Sequence, residues 1–151
     1  MNLRKFYMNS FMQDITAFGT VYHLAILVIT LLFLNQNQVA YKLVTGQAVM
    51  YAFAIPLKLF FFKERPRRMA HKNILEKIEA SSFPSVHTLR IFFVSAVLIL
   101  SFSNYPLSVL LGILSVLVAY SRIYLKRHHP SDVAAGAIIG FALGYGVVQY
   151  A

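Results

Sequence analysis

Apolar runs alternate with two polar stretches along the chain, and that alternation predicts its organisation. The apolar segments run from about Ile15 to Leu34, Val39 to Phe62, Thr88 to Phe102, Leu107 to Ser121 and Ser131 to Tyr150. A helix of about 20 residues crosses the hydrocarbon core of a bilayer. The first, second and fifth segments meet that length, and the third and fourth meet it when they begin at Ser85 and Tyr105. The turn Ser103-Asn104-Tyr105-Pro106 predicts a tight helical hairpin. The pattern therefore predicts an all-α fold, an integral membrane helical bundle of about five transmembrane helices, with residues 1–151 forming a single membrane-embedded domain. Neither repeats nor low-complexity tracts interrupt it. The N-terminus carries no cleavable-signal pattern, since no small-residue cleavage site follows a short apolar run.

The polar stretches are Lys63 to Pro84 and Arg122 to Pro130. With five spans they fall at the same end of the bundle. Lys63, Arg65, Arg67, Arg68, Lys72 and Lys77 lie in the first, and Arg4, Lys5 and Arg90 are expected near the same end. Lys42 is the exception, and the other two loops, Asn35 to Gln38 and Ser103 to Pro106, are uncharged. The positive-inside rule makes the basic end cytoplasmic, although cations that serve to bind substrate would distort that count.

Composition sharpens this picture. Apolar residues make up 58% of the chain and mean hydropathy is +0.64, whereas soluble domains are about 45–50% apolar. Charged residues make up only 13%, yet the net charge is +9. In a membrane chain such a balance points to anionic headgroups or a phosphorylated substrate before nucleic acid. The chain has no Cys, which excludes disulfides, thiol catalysis and Cys-ligated metal. Its five Asp and Glu residues include no carboxylate cluster for a metal pair.

Three short sequences gather candidate chemistry at the basic end. In the first, Lys58 and Arg65 are seven apart, nearly two helical turns, so a continuous helix would set both along one face. A snorkelling Lys and a boundary Arg are the plainer reading. The second, Ser81-Ser82-Phe83-Pro84-Ser85-Val86-His87-Thr88, reads as a capped helix start. Free N–H groups there bind phosphate oxygens well, and His87 falls in the first turn. In the third, His128 and Asp132 are four apart where the last helix begins. A carboxylate in that position accepts a hydrogen bond from one ring nitrogen and leaves the other as an attacking lone pair. A capped helix start behind a solvated basic loop is the competing reading.

Together these segments resemble the type-2 phosphatidic acid phosphatase family. That family's pattern is Lys, six residues, Arg-Pro; then Pro-Ser-Gly-His; then Ser-Arg, five residues, His, three residues, Asp. Here it stands as Lys58…Arg65-Pro66, Pro84-Ser85-Val86-His87 and Ser121-Arg122…His128…Asp132. Only Val86 departs, standing where the family has Gly; its N–H remains, while its branched side chain narrows the pocket. The resemblance implies a lipid phosphatase of the bilayer that takes a lipid phosphate or diphosphate, with neither cofactor nor metal. His128 is then the nucleophile that forms a phosphohistidine, Asp132 its holder, and His87 the acid for the leaving oxygen. Lys58, Arg65, Ser85, the Val86 amide and Arg122 hold the phosphate oxygens. The implied substrates are isoprenyl diphosphates, phosphatidate and phosphatidylglycerol phosphate. A vanadate-dependent haloperoxidase and a non-catalytic membrane protein of the same fold are the alternatives.

Other residues have plainer expectations. His23 is expected to be packed or hydrogen-bonded, His71 solvated, and Asp14 interfacial. Arg67, Arg68, Lys72 and Lys77 form a headgroup surface. Gly136, Gly140 and Gly144, four apart, predict a small-residue packing seam on the last helix.

Overall fold

A computed structural model describes residues 3–150. They form seven helices: α1 Leu3–Ala17, α2 Val21–Phe33, α3 Asn37–Phe60, α4 Ile74–Ala80, α5 Val86–Phe102, α6 Tyr105–Tyr124 and α7 Pro130–Tyr150. The all-α prediction holds. Helix α5, at 17 residues, is apolar but short. Among the described residues, α3, α6 and α7 are long and apolar enough to cross a membrane, and α1 with α2 makes a fourth span only if that bent pair is counted as one.

The predicted first span is broken. Between α1 and α2 the chain bends by 50°. Gly19 sits in the break against the start of α5, and a Cβ on it would lie 2.9 Å from both the His87 Cβ and the His87 carbonyl oxygen. Arg90 Nη1 donates to the freed Gly19 carbonyl at 2.6 Å. The same guanidinium donates to Gln47 Oε1 at 3.1 Å and to the Tyr51 hydroxyl at 2.7 Å. The continuous apolar run conceals this break, because the contacts made there are tertiary.

Helix α5 has 17 residues, about 26 Å at 1.5 Å per residue, and it is the buried centre of the bundle. Leu89, Phe93 and Val97 are fully enclosed. Phe93, Val94, Val97 and Leu98 pack with Leu24, Leu31, Leu43 and Leu111 in the main apolar cluster. Shielded by its neighbours, α5 does not have to present an apolar surface to lipid around its whole circumference. The outer helices do present one: Ile29, Phe53, Phe60, Leu110, Ile113, Ile138 and Phe141 are exposed. Contiguous exposed apolar surface of that kind marks contact with a membrane.

Helix ends follow local chemistry. Asn104 Oδ1 accepts from the Leu107 N–H at 2.9 Å, and Pro106 occupies the first turn of α6. Ser103 closes α5 in the left-handed region at φ 47°. These two features make the predicted hairpin. The predicted glycine seam faces α5: a Cβ on Gly136 would lie 2.7 Å from the Ser85 carbonyl oxygen, and one on Gly140 would overlap the Leu89 carbonyl oxygen. Only backbone hydrogens fit there, so α7 lies directly on the α5 backbone.

Candidate active site

The two polar stretches meet at one end of the bundle, as their placement in the chain predicts. The Arg67 N–H donates to the Lys126 carbonyl at 3.2 Å, joining the two, and within the first stretch the Ser82 N–H donates to the Lys63 carbonyl at 2.7 Å. Beneath them lies a cavity of about 1100 Å³, whose lining includes Lys58, Arg65, Val86, His87, Arg122 and His128. Five further cations line it, Lys5, Arg67, Arg90, Lys126 and Arg127, against one carboxylate, Glu79. Such a concentration of positive charge in a partly dehydrated hollow favours an anion strongly.

Local folding fixes the position of His128. The Arg122 carbonyl, at the end of α6, accepts from the Arg127 N–H at 3.0 Å and the His128 N–H at 3.2 Å. Lys126 adopts φ 54° as the chain reverses. The His128 side chain is therefore delivered back toward the Arg122 that precedes it. Its Nδ1 lies 2.7 Å from the Ser82 carbonyl oxygen. A carbonyl only accepts, so Nδ1 carries the proton and Nε2 keeps its lone pair. Burial, followed by the positive charges of Arg122 and Arg65, pushes the imidazole down to about 3. Burial and these charges favour the neutral ring, the form a nucleophile requires.

The expected contact between Asp132 and His128 is absent. Asp132 is fully buried, with Oδ1 accepting from Lys63 Nζ at 2.6 Å and Oδ2 from the Ser82 hydroxyl and, at 2.9 Å, the His129 N–H. Helical spacing does not apply here, because His128 precedes Pro130, the first residue of α7. Ser82 links the two groups instead: its carbonyl accepts from the ring while its hydroxyl donates to the carboxylate. Lys63, 38% exposed, completes an ion pair with Asp132 and also donates to Ser131 Oγ at 2.8 Å.

Lys58 and Arg65 likewise do not share one helix face, since α3 ends at Phe60. They reach the cavity separately. Lys58 Nζ donates to the Ser81 carbonyl at 2.6 Å, and Arg65 Nη2 donates to the Glu79 carbonyl. The Nε atoms of Arg65 and Arg122 are buried without a partner. Leaving such a donor unpaired costs about 1–3 kcal/mol, a cost that an incoming oxyanion would remove.

Ser85 and Asp132 do not line the cavity. Ser85 is fully buried; its Oγ accepts from Thr88 Oγ1 at 3.0 Å and makes no cap to its own helix. Its N–H donates to the Asp132 carbonyl at 3.0 Å, tying the start of α5 to α7. Val86 does line the cavity, and its side chain packs toward Met50, Ala54 and Leu89. Among the plainer residues, His23 Nδ1 lies 3.1 Å from Thr20 Oγ1, His71 is exposed against the Phe62 ring, and Asp14 is exposed. Among the described residues no three His, Cys, Asp or Glu side chains cluster to hold a metal ion.

Sequence reasoning missed the contacts of Lys63 and Ser82, and it did not place Thr16 in the cavity wall. Ser82 holds the His128 ring through its backbone carbonyl, which leaves no side-chain signature, while its hydroxyl binds Asp132. Lys63 sits inside the first motif with no spacing rule to mark it, and Thr16 lies in α1, far from every motif.

Comparison with known proteins agrees with this geometry. The sequence profile of the PAP2 superfamily matches residues 39–151. Undecaprenyl-diphosphatase BcrC of Bacillus subtilis is 29% identical over 143 residues, covering 91% of this chain and 72% of that protein. The crystal structure of Aquifex aeolicus LpxE superposes with a TM-score of 0.79 at 26% identity, covering 95% of this chain and 87% of that one. The Bacillus subtilis PAP2-type phosphatidylglycerolphosphate phosphatase shares the fold, with a TM-score of 0.78 at 24% identity, covering 95% of this chain and 76% of that one.

Proposed function

The chain belongs to the PAP2 superfamily, a membership that makes it a phosphoric ester hydrolase, and we propose that it removes phosphate from a membrane lipid through a phosphohistidine on His128. The observation that carries this reading is the His128 ring, held through Nδ1 by the Ser82 carbonyl at 2.7 Å in a cavity shared with Lys58, Arg65, His87 and Arg122. Residues 1–151 act in this reading as one membrane-embedded domain. The substrate is a lipid phosphate or diphosphate of the isoprenyl diphosphate, phosphatidate or phosphatidylglycerol phosphate class.

In the first step His128 Nε2 attacks phosphorus in line with the leaving oxygen. An N–P bond forms as the P–O bond breaks, and His87 gives the leaving oxygen its proton. General acid catalysis of this kind typically contributes about 10²–10⁴-fold. In the second step water, deprotonated by His87, attacks phosphorus and breaks the N–P bond. Inorganic phosphate leaves and His128 is restored. Lys58, Arg65 and Arg122 neutralise the charge spread over the equatorial oxygens, with the Val86 N–H at the start of α5 as a further donor. Asp132 acts on His128 through Ser82, and Ser85 braces the start of α5 from behind the cavity.

The purified protein in detergent micelles should release phosphate from at least one member of a lipid-phosphate panel, with excess chelator present. His128→Ala should reduce release to background while the protein stays folded. Release that survives in His128→Ala, or that chelator abolishes, would refute the histidine mechanism.

A further inference from the structure

Helix α1 lies outside the residues matched to the superfamily profile, yet it forms a wall of the cavity. Lys5, Asn9, Gln13 and Thr16 all line it. Their spacings of four, four and three place them on one helical face. On a surface helix such a face would simply be hydrated. Here it closes the hollow that holds His87 and His128, while Leu3, Tyr7 and Phe11 are exposed.

One residue of that face touches the site's cations directly. Arg122 Nη1 donates to Thr16 Oγ1 at 2.8 Å. Arg122 is 6% exposed, and its Nε has no partner. A guanidinium is a rigid plane, so fixing one terminal nitrogen and the Cδ–Nε bond fixes the direction of every other N–H. A Lys in place of Arg122 would offer a point charge without that directional fork. We propose that Thr16 is a positioning residue for phosphoryl transfer. Its hydroxyl sets the plane of the Arg122 guanidinium so that the N–H groups left unpaired meet the phosphate oxygens. This rests on the lipid-phosphatase reading, and it places part of the reaction's geometry in a helix that the superfamily profile does not reach.

A merely structural role predicts something different. If Thr16 only fastened α1 to α6, its loss would lower stability and leave the chemistry unchanged. Thr16→Val keeps the shape and removes the acceptor, and Thr16→Ser keeps the acceptor and removes a methyl group. Both are made in the full chain, with the wild type and each variant assayed on phosphatidate in mixed micelles and on phosphatidylglycerol phosphate and undecaprenyl diphosphate. Orthovanadate, a phosphate mimic, is titrated in parallel by thermal shift.

Misplacing a catalytic group by about 1 Å can cost about 100-fold in rate. Thr16→Val should therefore lower kcat by about 10- to 100-fold with KM little changed. It should also weaken vanadate binding by about tenfold, which is about 1.4 kcal/mol. Thr16→Ser should recover both to within a few fold of the wild type. Wild-type kcat and vanadate affinity in Thr16→Val, with only the melting temperature lowered, would overturn the proposal. So would a Thr16→Ser variant as impaired as Thr16→Val. A wild type that neither releases phosphate nor binds vanadate would instead refute the phosphatase reading itself, and the role of Thr16 would fall with it.

Discussion

Replacing Gly140 by Ala tests whether the α5–α7 seam sets the geometry of the site. The added Cβ would overlap the Leu89 carbonyl oxygen and lie about 3 Å from two further Leu89 backbone atoms. A carbon and a carbonyl oxygen rest about 3.3–3.6 Å apart, so α7 has to retreat by on the order of 1 Å. Backbone cannot swing aside as a flexible side chain would. Overpacking of this kind costs about 1–3 kcal/mol, against which Ala gains about 0.8–1 kcal/mol over Gly in helix propensity. The net expectation is a loss of about 0–2 kcal/mol. Function should suffer more than stability. Asp132 and Gly140 are two turns apart on the same helix, and the bond from Ser85 N–H to the Asp132 carbonyl, 3.0 Å long, spans the gap that would widen. A displacement of that size at the nucleophile can cost about 100-fold in rate. The control is Gly146→Ala, on the same helix, where an added Cβ meets nothing within 4 Å; it should be neutral or slightly stabilising. Thermal unfolding in micelles and phosphate release are measured for both. Gly140→Ala with wild-type stability and rate would refute the argument that backbone contact at this seam fixes the site.

Two further expectations follow from the ion pair and the charge distribution. Lys63→Gln should leave Asp132 without its ion pair, held by the hydroxyls of Ser82 and Ser131 and the His129 N–H, costing about 1–3 kcal/mol and slowing phosphate release; an unchanged melting temperature together with an unchanged rate would show that Lys63 is dispensable to the site. The basic end should face the cytoplasm, so a single cysteine placed between Arg67 and Lys77 should resist a membrane-impermeant thiol reagent in intact cells while one between Asn35 and Gln38 reacts, and the opposite pattern would put the cavity on the outer face.

The motifs made most of the cavity's lining legible because each of these candidate side chains lies near a helix end, where the sequence itself changes character. Lys58, Arg65, His87, Arg122 and His128 were all readable in this way, and all line one cavity. What periodicity could not give was the contacts made outside regular helix. The four-residue spacing of His128 and Asp132 suggested a direct bond, yet His128 lies in the loop before α7. The carboxylate turned instead to Lys63, 69 positions away in the chain. The break near Gly19 was equally hidden, since apolar residues flank it on both sides. At the break Gly19 meets the Arg90 guanidinium and the His87 backbone, and neither contact leaves a mark on the local sequence. The glycine seam was readable because a four-residue repeat of the smallest side chain has few uses in a helix other than close approach.

The three bonds made by Arg90 bear on how the chain enters the bilayer. A cation on a lone helix costs up to about 2.5–3.5 kcal/mol to insert when it lies at mid-membrane, and α5, with 17 residues, has little apolar length to offset it. Its partners Gln47 and Tyr51 belong to α3, and Gly19 to the segment before α2, so all are synthesised before Arg90. The earlier helices therefore present a ready-made receptor for this cation. In the folded bundle the cation of α5 has protein rather than lipid as its solvent.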